Sequence, residues 1–189
     1  LELITGIYAG QVNKNIVAKL QGLGCNAMGL SGADGNAIQA IKRPVAAIDY
    51  GWVGDVQSVN GVFFSQLLNQ RLSPVCCALT HDGKGQLLNT NADTIAAQIA
   101  IALAKQFDVK LYYCFEQLGV LQSPEDPNSL IEQIDTKKHK DLVDQKIIHQ
   151  GMLPKMKNAF DALKQGVSKV AIGKPEMISS SIKHTTLTL

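Results

Sequence analysis

Leu87-Leu88-Asn89-Thr90-Asn91-Ala92-Asp93-Thr94 runs directly into Ile95-Ala96-Ala97-Gln98-Ile99-Ala100-Ile101-Ala102-Leu103-Ala104. An extended apolar segment gives way to two amides and a carboxylate, Asn89, Asn91 and Asp93, and then to an apolar helical run. A helix start presents free N–H groups, and Asn or Asp placed there caps them. On that reading the stretch is a capping turn and nothing more. On the other reading, polar side chains beside a partly positive helix end hold an anionic ligand and its counter-charges. The local sequence leaves both open.

Downstream, Val109-Lys110-Leu111-Tyr112-Tyr113-Cys114-Phe115 reads as a buried strand, followed by Glu116-Gln117-Leu118-Gly119-Val120-Leu121. Ligands of open α/β sheets lie outside the carboxyl ends of parallel strands, so Glu116 and Gly119 stand where a nucleotide could sit; a plain loop is the competing reading. Residues 123–128 form a polar surface loop, and Thr136 to Gln145 a short charged helix. Pro154 suits the first turn of a helix that Met156, Phe160 and Leu163 continue. Lys155 is then a cation in a first turn. That costs a few tenths to about 1 kcal/mol against the macrodipole unless an anion or solvent offsets it. Val167 to Ile172 reads as a further strand, and residues 185–189 as an edge strand.

Upstream, residues 1–23 carry apolar side chains at helical spacing, weakened by Gly6 and Gly10. Cys25 to Leu30 reads as a buried strand ending in a Gly-rich turn, Ser31-Gly32-Ala33-Asp34-Gly35-Asn36, of the kind that lets backbone approach a ligand, or is only a loop. Residues 37–59 read as short strands, with a hairpin or flap at 49–56. Asn60 can cap a helix reaching Asn69, and Val75 to Leu79 reads as a buried strand. His81 to Gly85 is a turn, and His81 has no second ligand at metal-binding spacing. Single buried strands separated by helices argue for an α/β domain with a mainly parallel sheet and helices on both faces.

The bulk properties fit one such domain. The chain has 189 residues, 46% of them hydrophobic and 18% charged, enough for a sizeable core. A net charge of +2 without a basic run does not imply nucleic acid. No stretch is apolar enough to span a bilayer, and no signal peptide is visible. The four cysteines lie outside CxxC or framework spacing, which reads as buried, reduced thiols in a cytoplasmic protein.

Four segments together resemble the amino acid kinase family, in its N-acetylglutamate kinase branch: Ala9-Gly10-Gln11-Val12-Asn13-Lys14, Gly29-Leu30-Ser31-Gly32-Ala33-Asp34-Gly35, residues 85–93, and Gly151-Met152-Leu153-Pro154-Lys155. The resemblance covers the chain to about Ile172, and Cys114-Phe115-Glu116 resembles the Bacteroidetes type. It implies a three-layer αβα sandwich with an open, mainly parallel sheet. Roughly residues 1–90 would face the acyl-amino acid and residues 91–189 the nucleotide. It implies phosphorylation, by ATP with Mg²⁺, of the side-chain carboxylate of an N-acyl-L-glutamate (acetyl or succinyl) in arginine biosynthesis. Members are commonly homodimers, or hexamers when arginine inhibits them. Carried over by position, Asn89 binds the glutamate moiety, Asp93 orients two catalytic lysines, and Lys155 is one of those lysines. Glu116, Gly119 and Leu121 lie at the nucleotide-binding strand end, and Ile147, Ile148 and His149 form a second nucleotide-contacting stretch. No residue is assigned to a metal. Many relatives have Asp at the position of Glu116. The family opens with a strand and a Lys-x-Gly-Gly loop that these residues lack, and the chain begins at Leu1 rather than Met, so a missing N-terminal part is expected. A non-catalytic ligand-binding module on the same fold is the alternative reading.

Overall fold

The computed structural model describes residues 1–123, 125–149 and 151–189. Pro124 of the polar loop and Gln150, ahead of the Gly151–Lys155 segment, lie outside the described residues. The chain divides into two compact units, Leu1–Leu103 and Ala104–Leu189.

The first unit opens with helix α1 (Glu2–Thr5), a π-helical stretch (Gly6–Val12) and helix α2 (Asn13–Gly22). Gly6 and Gly10 do not break the helix; the backbone widens to a π-turn around them instead. There follow β1 (Ala27–Leu30), β2 (Ile38–Lys42), β3 (Gly54–Val59), α3 (Gly61–Asn69), β4 (Ser73–Cys76), β5 (Leu79–His81), β6 (Leu87–Asn89) and α4 (Ala92–Ala104). β1 and β4 pair in parallel, Ala27 opposite Ser73 through Leu30 opposite Cys76. The other sheet has the order β3-β2-β5-β6. In it the neighbours in sequence pair antiparallel, β2 with β3 and β5 with β6, while β2 and β5 pair in parallel. Short connections permit only antiparallel pairs, whereas parallel ones need a crossover.

The core of this unit is Leu30, Ala37, Ile38, Phe64 and Ile95, flanked by Val56, Phe63, Leu67, Cys76 and Ile99. Burying one such large side chain is worth about 1.5–3 kcal/mol. α3 starts where the sequence predicts, with Asn60 Oδ1 accepting the Phe63 N–H at 3.0 Å.

The second unit holds β7 (Lys110–Cys114), β8 (Gln133–Ile134), α5 (Thr136–Asp144), α6 (Leu153–Lys164), β9 (Lys169–Gly173) and β10 (Thr185–Leu187). Its sheet has the order β7-β9-β10-β8. β7 and β9 run parallel, Lys110 opposite Lys169 through Cys114 opposite Gly173. Val170, Ala171 and Ile172 are wholly buried, as expected of a strand covered on both faces. β10 is not the edge strand its sequence predicts, because β9 and β8 flank it. The buried Thr185 explains the difference: its hydroxyl accepts the Val120 N–H at 2.8 Å and donates to the Ile131 carbonyl at 2.7 Å. A hydroxyl so satisfied is tolerated inside a sheet.

Among the described residues, parallel pairings outnumber antiparallel ones by four to three. No helix among them is long and apolar enough to cross a membrane. All four cysteines are free; Cys25, Cys76 and Cys77 are half-buried, but Cys114, at the end of β7, is exposed against expectation.

Candidate active site

Two groups of predicted residues lie in the two units. In the first, β6 ends at Asn89 and α4 begins at Ala92. The cap is Asn91: its Oδ1 accepts the Thr94 N–H at 3.0 Å and lies 3.3 Å from the Thr94 hydroxyl. Capping therefore occupies Asn91 and leaves Asn89 outside it. Asp93 is half-buried in the first turn of α4, where the helix dipole favours a carboxylate.

Asn89 is held by its main chain, its N–H donating to the Trp52 carbonyl at 2.7 Å. Its side-chain amide has no hydrogen-bond partner among the described residues. Asn89 lines a cavity of about 130 Å³ together with Leu1, Ile4, Tyr50, Trp52 and Val53. An amide with two donors and two acceptor lone pairs open to a cavity is equipped to read a carboxylate or an amide.

The cavity wall is the predicted flap, which connects β2 to β3. The Lys42 ammonium lies 4.6 Å from the centroid of the Trp52 ring, and the Arg43 guanidinium 5.5 Å from that of Tyr50. Arg43 also pairs with Asp55 at 2.6 Å, and this carboxylate raises the pKa of the guanidinium. These groups are largely exposed, so each contact contributes little, about 1 kcal/mol or less. The flap was legible as a Gly- and aromatic-rich hairpin. The particular wall residues Tyr50 and Trp52 were not singled out, although exposed aromatics in a flap are the signal that could have found them.

The Gly-rich turn after β1 serves this chain's own backbone. A Cβ on Gly32 would lie 2.8 Å from the Ile38 carbonyl oxygen and from Thr80 Cα. Asp34 closes the turn, accepting from the Ser31 N–H at 2.7 Å and its hydroxyl at 2.8 Å.

In the second unit, a cavity of about 120 Å³ is lined by Gly119, Leu121, Ile147 and His149 together with Phe115, Gln117, Val120 and Met152. The structure thus gathers four of the six predicted nucleotide residues. Ile148 is instead buried in the core, and Glu116 is exposed outside this lining. Phe115, Val120 and Met152 lie within quoted segments, but none was assigned to the nucleotide, since an apolar wall residue reads in sequence as ordinary core. Gly119 is required where it stands: an added Cβ would meet the Thr185 hydroxyl, and would lie 2.7 Å from Leu130 Cδ1.

Lys155 lies in the first turn of α6, behind Pro154, and is half-buried. Its ammonium sits 4.5 Å from the centroid of the Tyr113 ring, on a buried residue of β7. The aromatic face offsets part of the unfavourable helix dipole and fixes the position of the charge. No group of three or more His, Cys, Asp or Glu among the described residues could hold a metal ion.

Residues 1–174 match the model of the amino acid kinase family. The acetylglutamate kinase of Phocaeicola vulgatus is 54% identical over 172 residues, which make up 91% of this chain and 67% of that protein. The acetylglutamate kinase of Parabacteroides distasonis is 52% identical over 172 residues, 91% of this chain and 68% of that protein. The chain thus spans about two thirds of the length of these relatives. A crystal structure of a Streptococcus mutans protein superposes with a TM-score of 0.81 at 28% identity, over 98% of this chain and 70% of that one. With the α/β architecture, these likenesses establish that the chain belongs to the amino acid kinase family, in its acetylglutamate kinase branch.

Proposed function

We propose that the protein transfers the γ-phosphoryl group of ATP to the side-chain carboxylate of N-acetyl-L-glutamate, making an acyl phosphate for arginine biosynthesis. The identity of 54% to a curated acetylglutamate kinase carries this reading. The open Asn89 amide and the first-turn Lys155 supply chemistry that fits it.

The attacking carboxylate is already ionised at neutral pH, so no general base is needed. Several negative charges must instead be brought together, which makes positioning and charge neutralisation the main work of the protein. In this proposal Asn89 binds the acylglutamate and Asp93 orients catalytic lysines. Lys155 neutralises charge on the transferred phosphoryl group. The cavity around Gly119, Leu121, Ile147 and His149 suits the flat, largely apolar base of a nucleotide. Glu116, at the strand end, and Ile148, in the second stretch with Ile147 and His149, are retained in this proposal as neighbours of that lining. Magnesium, arriving on the nucleotide, would neutralise the β- and γ-phosphate oxygens. The acyl-amino acid belongs to the side of residues 1–90 and the nucleotide to that of residues 91–189. We place the reaction in the cytoplasm.

The oligomer we propose is a homodimer formed through the exposed apolar face of the first helix, with Leu3, Ile7, Val12 and Ile16.

Steady-state kinetics on the full-length protein test the activity. ADP release with MgATP should depend on N-acetylglutamate, and a parallel assay with N-succinylglutamate fixes the acyl group. Lys155→Ala should lower kcat by about 10²–10³-fold, the usual loss for one charge-stabilising group, with a modest change in KM. Near-normal kcat in that variant would remove Lys155 from the mechanism.

A further inference from the structure

Thr80 and Thr90 are both buried, 0% and 3% exposed, and their hydroxyl oxygens are 2.8 Å apart. The Thr90 hydroxyl is also 3.1 Å from the Gly54 carbonyl, at the start of β3. The Leu88 carbonyl is 3.4 Å from the Thr80 hydroxyl. Each hydroxyl has one proton to give. The short contacts are made together only if Thr80 donates to Thr90 and Thr90 donates to Gly54. The space is closed around this relay. A Cβ on Gly54 would lie 2.8 Å from the Thr90 hydroxyl and 3.0 Å from that of Thr80.

The location of the relay gives it a consequence beyond stability. Thr90 stands between Asn89 and the cap Asn91. The flap residue Trp52 receives the N–H of Asn89 on its carbonyl, and Gly54, two residues on, receives the hydroxyl of Thr90. The base of the flap is therefore clamped to two successive residues of one strand end. Through the Thr90 N–H, bonded to the Ala78 carbonyl at 3.0 Å, the same strand end is tied to the approach to β5.

We propose that Thr90, backed by Thr80, is a positioning residue that locks the flap carrying Tyr50 and Trp52 onto the strand end carrying Asn89, and so fixes the shape of the acyl-acceptor cavity. The consequence for turnover rests on the acylglutamate reading above; the lock itself does not. Thr90→Val keeps the volume and removes the proton that reaches Gly54. Thr80→Val/Thr90→Val removes both hydroxyls, so that neither is left stranded, while the Gly54 carbonyl loses its donor just as it does in Thr90→Val. Thr90→Ser keeps the donor.

Trp52 is the single tryptophan of these 189 residues, so in a protein whose other tryptophans, where present, are replaced by phenylalanine its fluorescence reports the flap without any ligand. Acrylamide should quench Trp52 more strongly in Thr90→Val and in the double variant than in the wild type and Thr90→Ser. In the same proteins KM for the acylglutamate should rise about tenfold, the equivalent of about 1.4 kcal/mol, with kcat and KM for ATP close to wild type. The double variant should recover part of the Tm lost in Thr90→Val, because the Thr80 hydroxyl is no longer stranded, and still keep the raised KM. Unchanged quenching in Thr90→Val overturns the lock, whether or not the protein turns over acylglutamate. A KM that recovers together with Tm in the double variant overturns the positioning role and leaves a purely structural pair. A wild type that shows the lock but releases no ADP would sink the kinase reading instead.

Discussion

Burial pushes the Cys76 thiol up to about 12, with the charge of neighbouring Cys77 adding to the shift. Cys77 is raised too, again chiefly by burial, although the Leu79 N–H opposes the change. At pH 8 a thiol of that kind is about 10⁻⁴ thiolate, and the thiolate is what reacts. Iodoacetamide should therefore label the exposed Cys114 first and Cys76 last, which peptide mass spectrometry over a time course would check. Early labelling of Cys76 would mean that β4 opens readily. His139 offers a second residue-scale test. It packs against Phe160 at 5.0 Å between ring centroids, its buried Nε2 has no hydrogen-bond partner among the described residues, and burial lowers its pKa. The unfolded chain thus binds this proton more readily than the folded one. Its contribution is fully present above the unfolded value near 6.5 and is lost as pH falls through the lower folded value. Tm should decline between pH 7 and pH 5, and His139→Gln should flatten that decline. At this scale the sequence disclosed polar residues at element ends, such as Asn89, Asp93 and Lys155. Ile148 shows the limit: residues 147–149 share a stretch, but only the structure separates the two that line the cavity from the one in the core. The Thr80–Thr90 pair shows another, because threonine in a β-rich segment reads as a strand former, and its partner lies ten residues away.

Element boundaries were most legible where a side chain bonds to the backbone of its own turn. Asn60 and Asn91 each accept an N–H three residues on, and both helix starts follow from that local chemistry. Asn60→Ala should cost about 1 kcal/mol, seen as a lower urea midpoint at constant m-value. A larger loss would mean that the cap also holds the α3 connection, where the Asn60 N–H donates to the Ala37 carbonyl at 2.9 Å. Strand neighbours were not legible, because they depend on partners distant in sequence. Residues 185–189 read as an edge strand, and nothing in that run tells that β8 and β9 both adjoin it. β4 likewise begins earlier than its apolar run, at Ser73, because pairing with Ala27 of β1 extends it across Pro74. The fold class survives such shifts, since it follows from the alternation of strands and helices rather than from their register.

At the scale of the whole molecule, the first helix explains why a sequence with two glycines in its opening turns keeps an ordered apolar face. Leu3, Ile7, Val12, Ile16 and Leu23 are all exposed, at 38–83% of their surface. In a regular α-helix the five-residue step from Ile7 to Val12 would move the stripe around the axis. The π-helical stretch Gly6–Val12 closes its turns with i→i+5 bonds, so that this step returns to nearly the same face. Residues 2–22 thus carry an apolar stripe along a rod about 31 Å long. A stable interface takes about 800 Å² from each partner, which a pairing of two such rods must reach together with their flanking residues. Light scattering on the eluted peak should give the mass of a dimer, and Ile7→Asp/Ile16→Asp should give that of a monomer with unchanged far-UV circular dichroism. Inserting Ala after Gly10 is the sharper test. It shifts the stripe by one position without adding a charge, so it should weaken the dimer if the π-turn sets the register. A dimer as tight as wild type after that insertion would detach the interface from this helix.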